Sequence, residues 1–399
     1  MKRRPRPGNI SSIPFRRSLL TEQGDIGIVL SGGGARAAYQ VGALRALAPF
    51  LARDPEQISV ILGSSIGAIN GLVFAACLNK GLEHSIELLD QLWRTRTYRN
   101  TFANSPSRAF LRAIRVALMQ YLAPGPHATQ DSIFNPAPLM AQVDEAIASH
   151  GGLSPDKRAP HLKSVGVMTT IEGIERKPML FVSTHKQVQQ DVLRGASFEL
   201  CYVEELTAKH GFASAALPSV LPPVELDTSV GKVRLVDGGI SQNVPVDPAA
   251  RMGAHRIIVI DISGRDWWLD RFGEAHDTRP TWEVPAGHDT FCVRPPETLV
   301  VRCKKPLGTI LREAVHGSHS KFITAVGPTW PIFQLLKKKF GEVVAYEVMS
   351  YVALDQDYLT GIIEQGFYET TTLLRNRREL PFMSEGSEEP QPEPTAAKQ

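Results

Sequence analysis

Short apolar runs that end in glycine or an acid alternate along this chain with stretches whose apolar residues recur every three to four positions, the pattern of strands feeding helices. Asp25-Ile26-Gly27-Ile28-Val29-Leu30 reads as a buried strand, and after Ser31-Gly32-Gly33-Gly34-Ala35-Arg36 the periodic run Ala38, Val41, Leu44, Leu47 reads as a helix. Ile58-Ser59-Val60-Ile61-Leu62 repeats the arrangement, passing through Gly63-Ser64-Ser65-Ile66-Gly67 into the helix-compatible Ala68 to Ala76. Further helices are predicted over Gly81 to Leu92 and Leu139 to Ala148. Val165 to Thr170 and Met179 to Ser183 are two strands joined by a polar turn; Lys232 to Val236 and Ile257 to Asp261 are two more. Phe212 to Val224 is a small-residue helix stopped by prolines, and Tyr358 to Leu380, opened by Asp355 or Asp357, is a C-terminal helix. The order of elements predicts an α/β fold.

Two stretches carry an amphipathic pattern. Phe110, Leu111, Ile114, Leu118, Tyr121 and Leu122 share one helical arc, with Arg108, Arg112 and Arg115 on the opposite one and Pro124-Gly125-Pro126 as the stop. Such a cationic helix can lie in a lipid interface, although the plainer reading, a surface helix packed on its own core, takes precedence. Trp330, Phe333, Leu336 and Phe340 beside Lys337-Lys338-Lys339 repeat the choice.

Composition narrows the class only a little. The chain has 399 residues, 43% hydrophobic and 21% charged, which suits a globular protein of one large or two ordinary domains. A net charge of +3 gives no argument for nucleic acid as a partner. No run approaches the roughly 18 apolar residues of a membrane span, so membrane contact is expected to be peripheral. Cys77, Cys201, Cys292 and Cys303 lack C-x-x-C spacing and read as free thiols in a reducing compartment, so a cytoplasmic protein is expected. His316 and His319 have no carboxylate to complete a ligand set, and neither a metal nor a cofactor is expected.

The chemistry gathers at the turns. Gly63-Ser64-Ser65-Ile66-Gly67 is a G-x-S-x-G between a strand and a helix, the context of a nucleophile elbow, and makes Ser65 the candidate nucleophile. Gly32-Gly33-Gly34 leaves main-chain N–H groups bare at a helix start, an anion cradle. Gly32-x-Gly34-x-x-Ala37 also fits a dinucleotide fingerprint, but the next strand ends in Gly63-Ser64-Ser65 instead of a ribose-binding acid, which favours an oxyanion hole serving Ser65. Asp237, followed by Gly238 and Gly239, is the candidate base, with Asp261 as a rival that lacks the glycine turn. His255, His276, His288, His316 and His319 all follow Asp237, so a serine, acid, histidine order stays open, although none has a distinguishing turn context.

The ordered set Gly32 to Arg36, Gly63-Ser64-Ser65-Ile66-Gly67-Ala68-x-Asn70, the block Ala213 to Val224 and Asp237-Gly238-Gly239 with Asn243 resembles the patatin-like phospholipase family over about residues 25 to 261. The resemblance implies a three-layer α/β/α sandwich with a mostly parallel central sheet, and a less regular C-terminal region. It implies a Ser-Asp dyad without histidine: Asp237 serves as base to Ser65, the amides of Gly33, Gly34 and their neighbours Gly32, Ala35 and Arg36 form the oxyanion hole, and Arg36 supports the loop. The family's loop usually ends in glycine where this chain has Ala37, a change expected to affect packing more than chemistry. A fatty-acyl ester of a phospholipid or lysophospholipid is the expected substrate, cleaved through an acyl-Ser65 intermediate.

The expected organisation is a basic disordered arm over 1–22, a catalytic domain over 23–263, an irregular insertion over 264–345 that offers a lid or membrane-docking region, a helical segment over 346–383 and an acidic disordered tail over 384–399. An acyltransferase or soluble carboxylesterase using the same dyad, and a nucleotide-binding regulatory protein using Gly32 to Gly34, are the competing readings.

Overall fold

The computed structural model describes residues 25–122, 132–173, 175–185, 193, 196–228, 231–263 and 297–376. The basic arm, the acidic tail and residues 264–296 lie outside them. One nine-stranded sheet organises the described residues. Its strands are β1 (Ile26–Leu30), β2 (Ile58–Ser64), β3 (Ser164–Ile171), β4 (Pro178–Thr184), β5 (Glu199–Tyr202), β6 (Val224–Thr228), β7 (Gly231–Val236), β8 (Arg256–Asp261) and β9 (Glu297–Arg302). The spatial order is β5-β4-β3-β2-β1-β8-β9, with the β6–β7 hairpin attached to the end of β3. β1, β2, β3, β8 and β9 are mutually parallel, whereas β4 runs antiparallel to β3.

The helices are α1 (Ala38–Leu51), α2 (Ile66–Cys77), α3 (Leu82–Arg94), α4 (Tyr98–Thr101), α5 (Pro106–Leu122), α6 (Ala137–Ser149), α7 (Ala208–Ser214), α8 (Val246–Arg251), α9 (Leu307–Val315), α10 (His319–Val326), α11 (Trp330–Phe340), α12 (Glu342–Met349) and α13 (Gln356–Arg375). Because strand side chains alternate, the central strands bury both faces. Ile28, Leu30, Ile61, Val165 and Ile258 point into the large core under α1, α2, α3 and α13. Val29, Val60, Leu62, Ile257 and Val259 form a smaller core with Val246 and Ala249 of α8 on the other side. The sandwich is therefore lopsided, thick with helices on one face and thin on the other.

Residues 297–345 differ from the irregular insertion expected of them. Glu297–Arg302 extends the sheet as β9 and four helices follow, α9 to α12. α11 coincides with the amphipathic stretch from Trp330 to Phe340, whereas the other elements are short and separated by proline and glycine and carry too few periods to stand out in the sequence. The C-terminal helix α13 lies so close to α1 that a Cβ on Gly42 would stand 1.9 Å from the Ile363 carbonyl oxygen. The small-residue helix starts and ends earlier than expected, at Ala208–Ser214, and the residues up to Pro223 form turns.

In α5 the face that packs is not the predicted apolar arc. Ala109 and Ala113 are the buried residues, whereas Leu111, Ile114 and Leu118 are 65%, 40% and 54% exposed. Small side chains let the helix approach its neighbours closely, and the large apolar ones turn outward.

Candidate active site

Register places the functional loops side by side. Leu30 of β1 pairs with Gly63 of β2, so residues 31–36 and 64–67 leave adjacent parallel strands at their carboxyl ends, where open α/β sheets build their sites. Ser64 pairs with Met168 of β3, and the end of β3 pairs with β7 through Thr170 and Val236. Asp237, the next residue, is thereby delivered to the same edge.

Ser65 sits at the turn into α2 with φ 53° and ψ −134°, a conformation that side chains other than glycine seldom adopt and that costs on the order of 1–3 kcal/mol. Its neighbours must be small: a Cβ on Gly63 would stand 2.4 Å from the Gly67 carbonyl oxygen, and one on Gly67 would stand 2.4 Å from that of Ser31. The Ser65 N–H donates to Ser214 Oγ at 2.7 Å, a brace from α7 that pattern reading had not singled out.

Ser65 Oγ donates to Asp237 Oδ2 at 2.6 Å. The Gly239 N–H donates to Asp237 Oδ1 at 2.7 Å, and Thr170 Oγ1 donates to the Asp237 carbonyl oxygen at 2.8 Å. Burial pushes the Asp237 carboxyl up to about 6, while the hydrogen bonds from Ser65 and the Gly239 amide act in the opposite direction. Such a group is ionised at neutral pH and basic enough to take a proton from a hydroxyl that is forming a bond. The rival Asp261 faces Arg302 Nε at 3.5 Å and accepts the Ser263 N–H, apart from Ser65.

The glycine loop is held from two sides. The Gly32 N–H donates to Asn243 Oδ1 at 3.0 Å, and Asn243 Nδ2 donates back to the Gly32 carbonyl oxygen at 3.3 Å. The Ala35 N–H donates to the Tyr351 carbonyl oxygen at 2.8 Å, and the Arg36 N–H to that of Gly33 at 3.2 Å. Three of the five amides expected to serve an oxyanion, those of Gly32, Ala35 and Arg36, are therefore already engaged within the protein. The amides of Gly33 and Gly34 have no partner among the described residues. Gly34 has φ 59°, and a Cβ there would stand 2.1 Å from the Tyr351 carbonyl oxygen.

Arg36 is fully buried and reaches the C-terminal helices. Nη2 lies 2.6 Å from Glu347 Oε1, Nε donates to Ser350 Oγ at 2.7 Å, and the guanidinium stacks 3.7 Å from the centroid of the Tyr351 ring. Glu347 Oε2 also accepts the Gly308 N–H at 2.7 Å. Glu347, Ser350 and Tyr351 lie in a region to which pattern reading gave no site role. The one available sign was an acid standing alone in the apolar run Val343 to Met349.

A cavity of about 310 Å³ opens on Ser65 and Asp237. Ile66, Ile69 and Val73 line it along α2, a span of about 10 Å at 1.5 Å per helical residue, and Leu89, Val143 and Phe212 face them. Among its wall residues Asp237 and Arg96 alone carry charge. His255 and His316 are not part of the wall, and His276, His288 and the side chain of His319 lie outside what is described. Among the described residues no group of three or more His, Cys, Asp or Glu is placed to hold a metal. Cys77 and Cys303 are free thiols. Burial pushes that of Cys77 up to about 12.

The model of the family described as patatin-like phospholipase matches residues 28–250. The chain is 26% identical over 257 residues to mouse patatin-like phospholipase domain-containing protein 7, and equally to the rat protein, covering 61% of this chain and 15% of each relative. It thus spans less than one sixth of their length. Solved structures that resemble it include human GIVD cytosolic phospholipase A2, at 11% identity and TM-score 0.38 over 88% of this chain and 58% of that one. Another is VipD from Legionella pneumophila, at 13% identity and TM-score 0.36 over 79% and 67%.

Proposed function

From the premise that the chain belongs to the patatin-like phospholipase family, with more than half of its residues matched, we propose that it is a serine lipid acyl hydrolase with Ser65 as nucleophile and Asp237 as its base. The contact that carries this reading is the 2.6 Å hydrogen bond from Ser65 Oγ to Asp237 Oδ2 at the mouth of an apolar cavity.

In the first half-reaction Ser65 Oγ attacks the ester carbonyl carbon while its proton passes to Asp237. The negative charge that develops on the carbonyl oxygen is met by the amides of Gly33 and Gly34, the two in the loop without partners. Collapse of the tetrahedral intermediate breaks the ester C–O bond, and the leaving alcohol takes the proton from Asp237. Water then attacks the acyl-Ser65 carbonyl, gives its proton to Asp237, and the fatty acid leaves as Ser65 Oγ recovers that proton. The apolar wall along α2 accommodates the acyl chain.

Two features weigh against the nucleotide reading. Gly32 is packed so closely on the nucleophile that a Cβ there would stand 2.6 Å from Ser65 Cβ, and its amide is already bonded to Asn243. Among the described residues no helix is long and apolar enough to cross a membrane. We assign access to lipid instead to the outward-facing Leu111, Ile114 and Leu118 of α5.

The test is reaction with a fluorophosphonate followed by peptide mapping, beside hydrolysis of a medium-chain ester by the Ser65→Ala variant. Label on Ser65 and loss of at least about 10³-fold in kcat are expected. Turnover retained by Ser65→Ala would end the proposal.

A further inference from the structure

Both members of the dyad are tied through their backbone to one short segment. The Ser65 N–H donates to Ser214 Oγ at 2.7 Å, and the Asp237 N–H donates to the Ala216 carbonyl oxygen at 3.0 Å. Ser214 closes α7 and is fully buried, and its own hydroxyl proton goes to the Met168 carbonyl oxygen. A serine hydroxyl has a single proton to give, so the Met168 carbonyl fixes its orientation and leaves a lone pair aimed at the Ser65 amide. Met168 also pairs with Ser64 in the sheet, which makes the anchor of Ser214 part of the register that places the nucleophile.

The same segment meets the cavity with its alternate residues. Ala215 and Leu217 line the wall, whereas Ser214 and Ala216 do not. Over four consecutive positions, residues that hold the dyad alternate with residues that touch whatever fills the cavity. The segment is also bonded to itself. The Ala215 N–H donates to the Gly211 carbonyl oxygen at 3.0 Å, and the Leu217 N–H to that of Ala215 at 2.7 Å. Pressure on Ala215 or Leu217 is therefore passed along the backbone to the two contacts that hold Ser65 and Asp237.

Small displacements matter at such a place. A misplacement of about 1 Å in a reacting group costs on the order of 10²-fold in rate, and contacts far from the reacting atoms raise kcat when they improve that alignment. Ser65 is held at φ 53°, a conformation that its surroundings must impose, and the hydroxyl of Ser214 is one of the groups that impose it.

We infer that Ser214 is a positioning residue through which an acyl chain in the cavity aligns Ser65 with Asp237, so that acyl-chain length is read out in kcat. The inference rests on the hydrolase reading and adds to it a way in which the substrate sets the competence of its own site.

The experiment measures kcat and KM for p-nitrophenyl acetate, butyrate and octanoate, which share a leaving group and differ only in how far they fill the cavity. The dyad serves both half-reactions, so kcat reports its alignment whichever of them limits. Wild-type kcat is expected to rise at least tenfold from acetate to octanoate. Ser214→Ala is expected to shrink that rise at least fivefold with KM for octanoate within threefold of wild type, because the cavity wall is intact. Leu217→Ala removes the contact at the other end of the segment and leaves the hydroxyl in place. It is expected to shrink the rise in kcat at least threefold, and since Leu217 is 40% exposed the fold should bear the change.

Thermal unfolding identifies the folded variants, and if Ser214→Ala is not folded at the assay temperature, Leu217→Ala decides alone. A wild-type kcat that does not depend on chain length overturns the inference, and so does a rise that survives in either folded variant. An equal fall in kcat for all three esters in Ser214→Ala also overturns it, since a brace indifferent to the acyl chain would act in that way. Fluorophosphonate labelling of Ser65 separates these outcomes from failure of the hydrolase reading. Label on Ser65 in an active wild type keeps that reading whatever the variants do, whereas a wild type with neither label nor hydrolysis ends it and this inference together.

Discussion

Arg36 and Glu347 are 311 residues apart in the chain and 2.6 Å apart in space, both buried. Through this pair and the Tyr351 carbonyl oxygen that accepts the Ala35 N–H, α12 and the turn after it fasten the outer side of the glycine loop. Removing one member of a buried pair strands the other charge. Glu347→Ala is therefore expected to lower stability by about 3–5 kcal/mol, whereas Arg36→Met combined with Glu347→Leu recovers most of that loss. Urea unfolding measures both. At a temperature where each variant is folded, kcat is expected to fall with KM little changed, because the loop and not the cavity has lost its anchor. A loss of stability with kcat intact would separate the pair from catalysis.

Asp237 links activity and stability to pH in opposite senses. Its carboxyl titrates near 6, and only the ionised form accepts the Ser65 proton, so kcat should fall as pH drops through about 6. For stability the folded-state value lies above the ordinary carboxylate value of about 3.9. Between those values the folded state binds the extra proton, so this contribution is fully present below about 4 and is lost as pH rises through 6. Asp237→Asn should therefore be inactive and, at pH 7–8, more stable than wild type by roughly 1–3 kcal/mol, with the advantage gone at pH 4. Thermal unfolding across that range tests the sign.

Gly34→Ala probes the loop directly. Its φ of 59° and the 2.1 Å approach of a new Cβ to the Tyr351 carbonyl oxygen force the backbone to move, carrying the Gly33 and Gly34 amides with it. Loss of an oxyanion donor lowers kcat by about 10²–10³-fold. Fluorophosphonate labelling of Ser65 should slow alongside. Labelling at the wild-type rate would show that these amides do not serve the reaction.

Leu111, Ile114 and Leu118 are outward-facing on α5, so their replacement should spare the fold. The triple change to Gln is expected to weaken sedimentation with phosphatidylcholine vesicles and to lower vesicle hydrolysis at least tenfold, with hydrolysis of a monomeric ester retained. Equal loss on both substrates would place the effect inside the site.

How much was legible beforehand differs between the site and its supports. Ser65 and Asp237 stand out because each occupies a strand end beside glycines, and a turn of that kind admits few residue types. The parallel strands β1, β2, β3 and β8 are short apolar runs, readable because burial on both faces leaves no polar alternation. Ser214 and the unequal fate of the loop amides were not readable, since each depends on a partner that local pattern does not name. The apolar stripe of α5 was visible as a stripe, but whether it faces core or solvent depended on the neighbours against which Ala109 and Ala113 pack.

By itself the amino-acid order determined which residues could do chemistry: strand-end turns are local, and local sterics select glycine, serine and aspartate there. Tertiary structure alone decided that Asp237 meets Ser65, that Glu347 meets Arg36, and that Ser214 meets the Ser65 amide. Those outcomes rest on sheet register and on helix packing between residues hundreds of positions apart, where the folding free energy of the whole chain, and no short stretch of it, sets the partner.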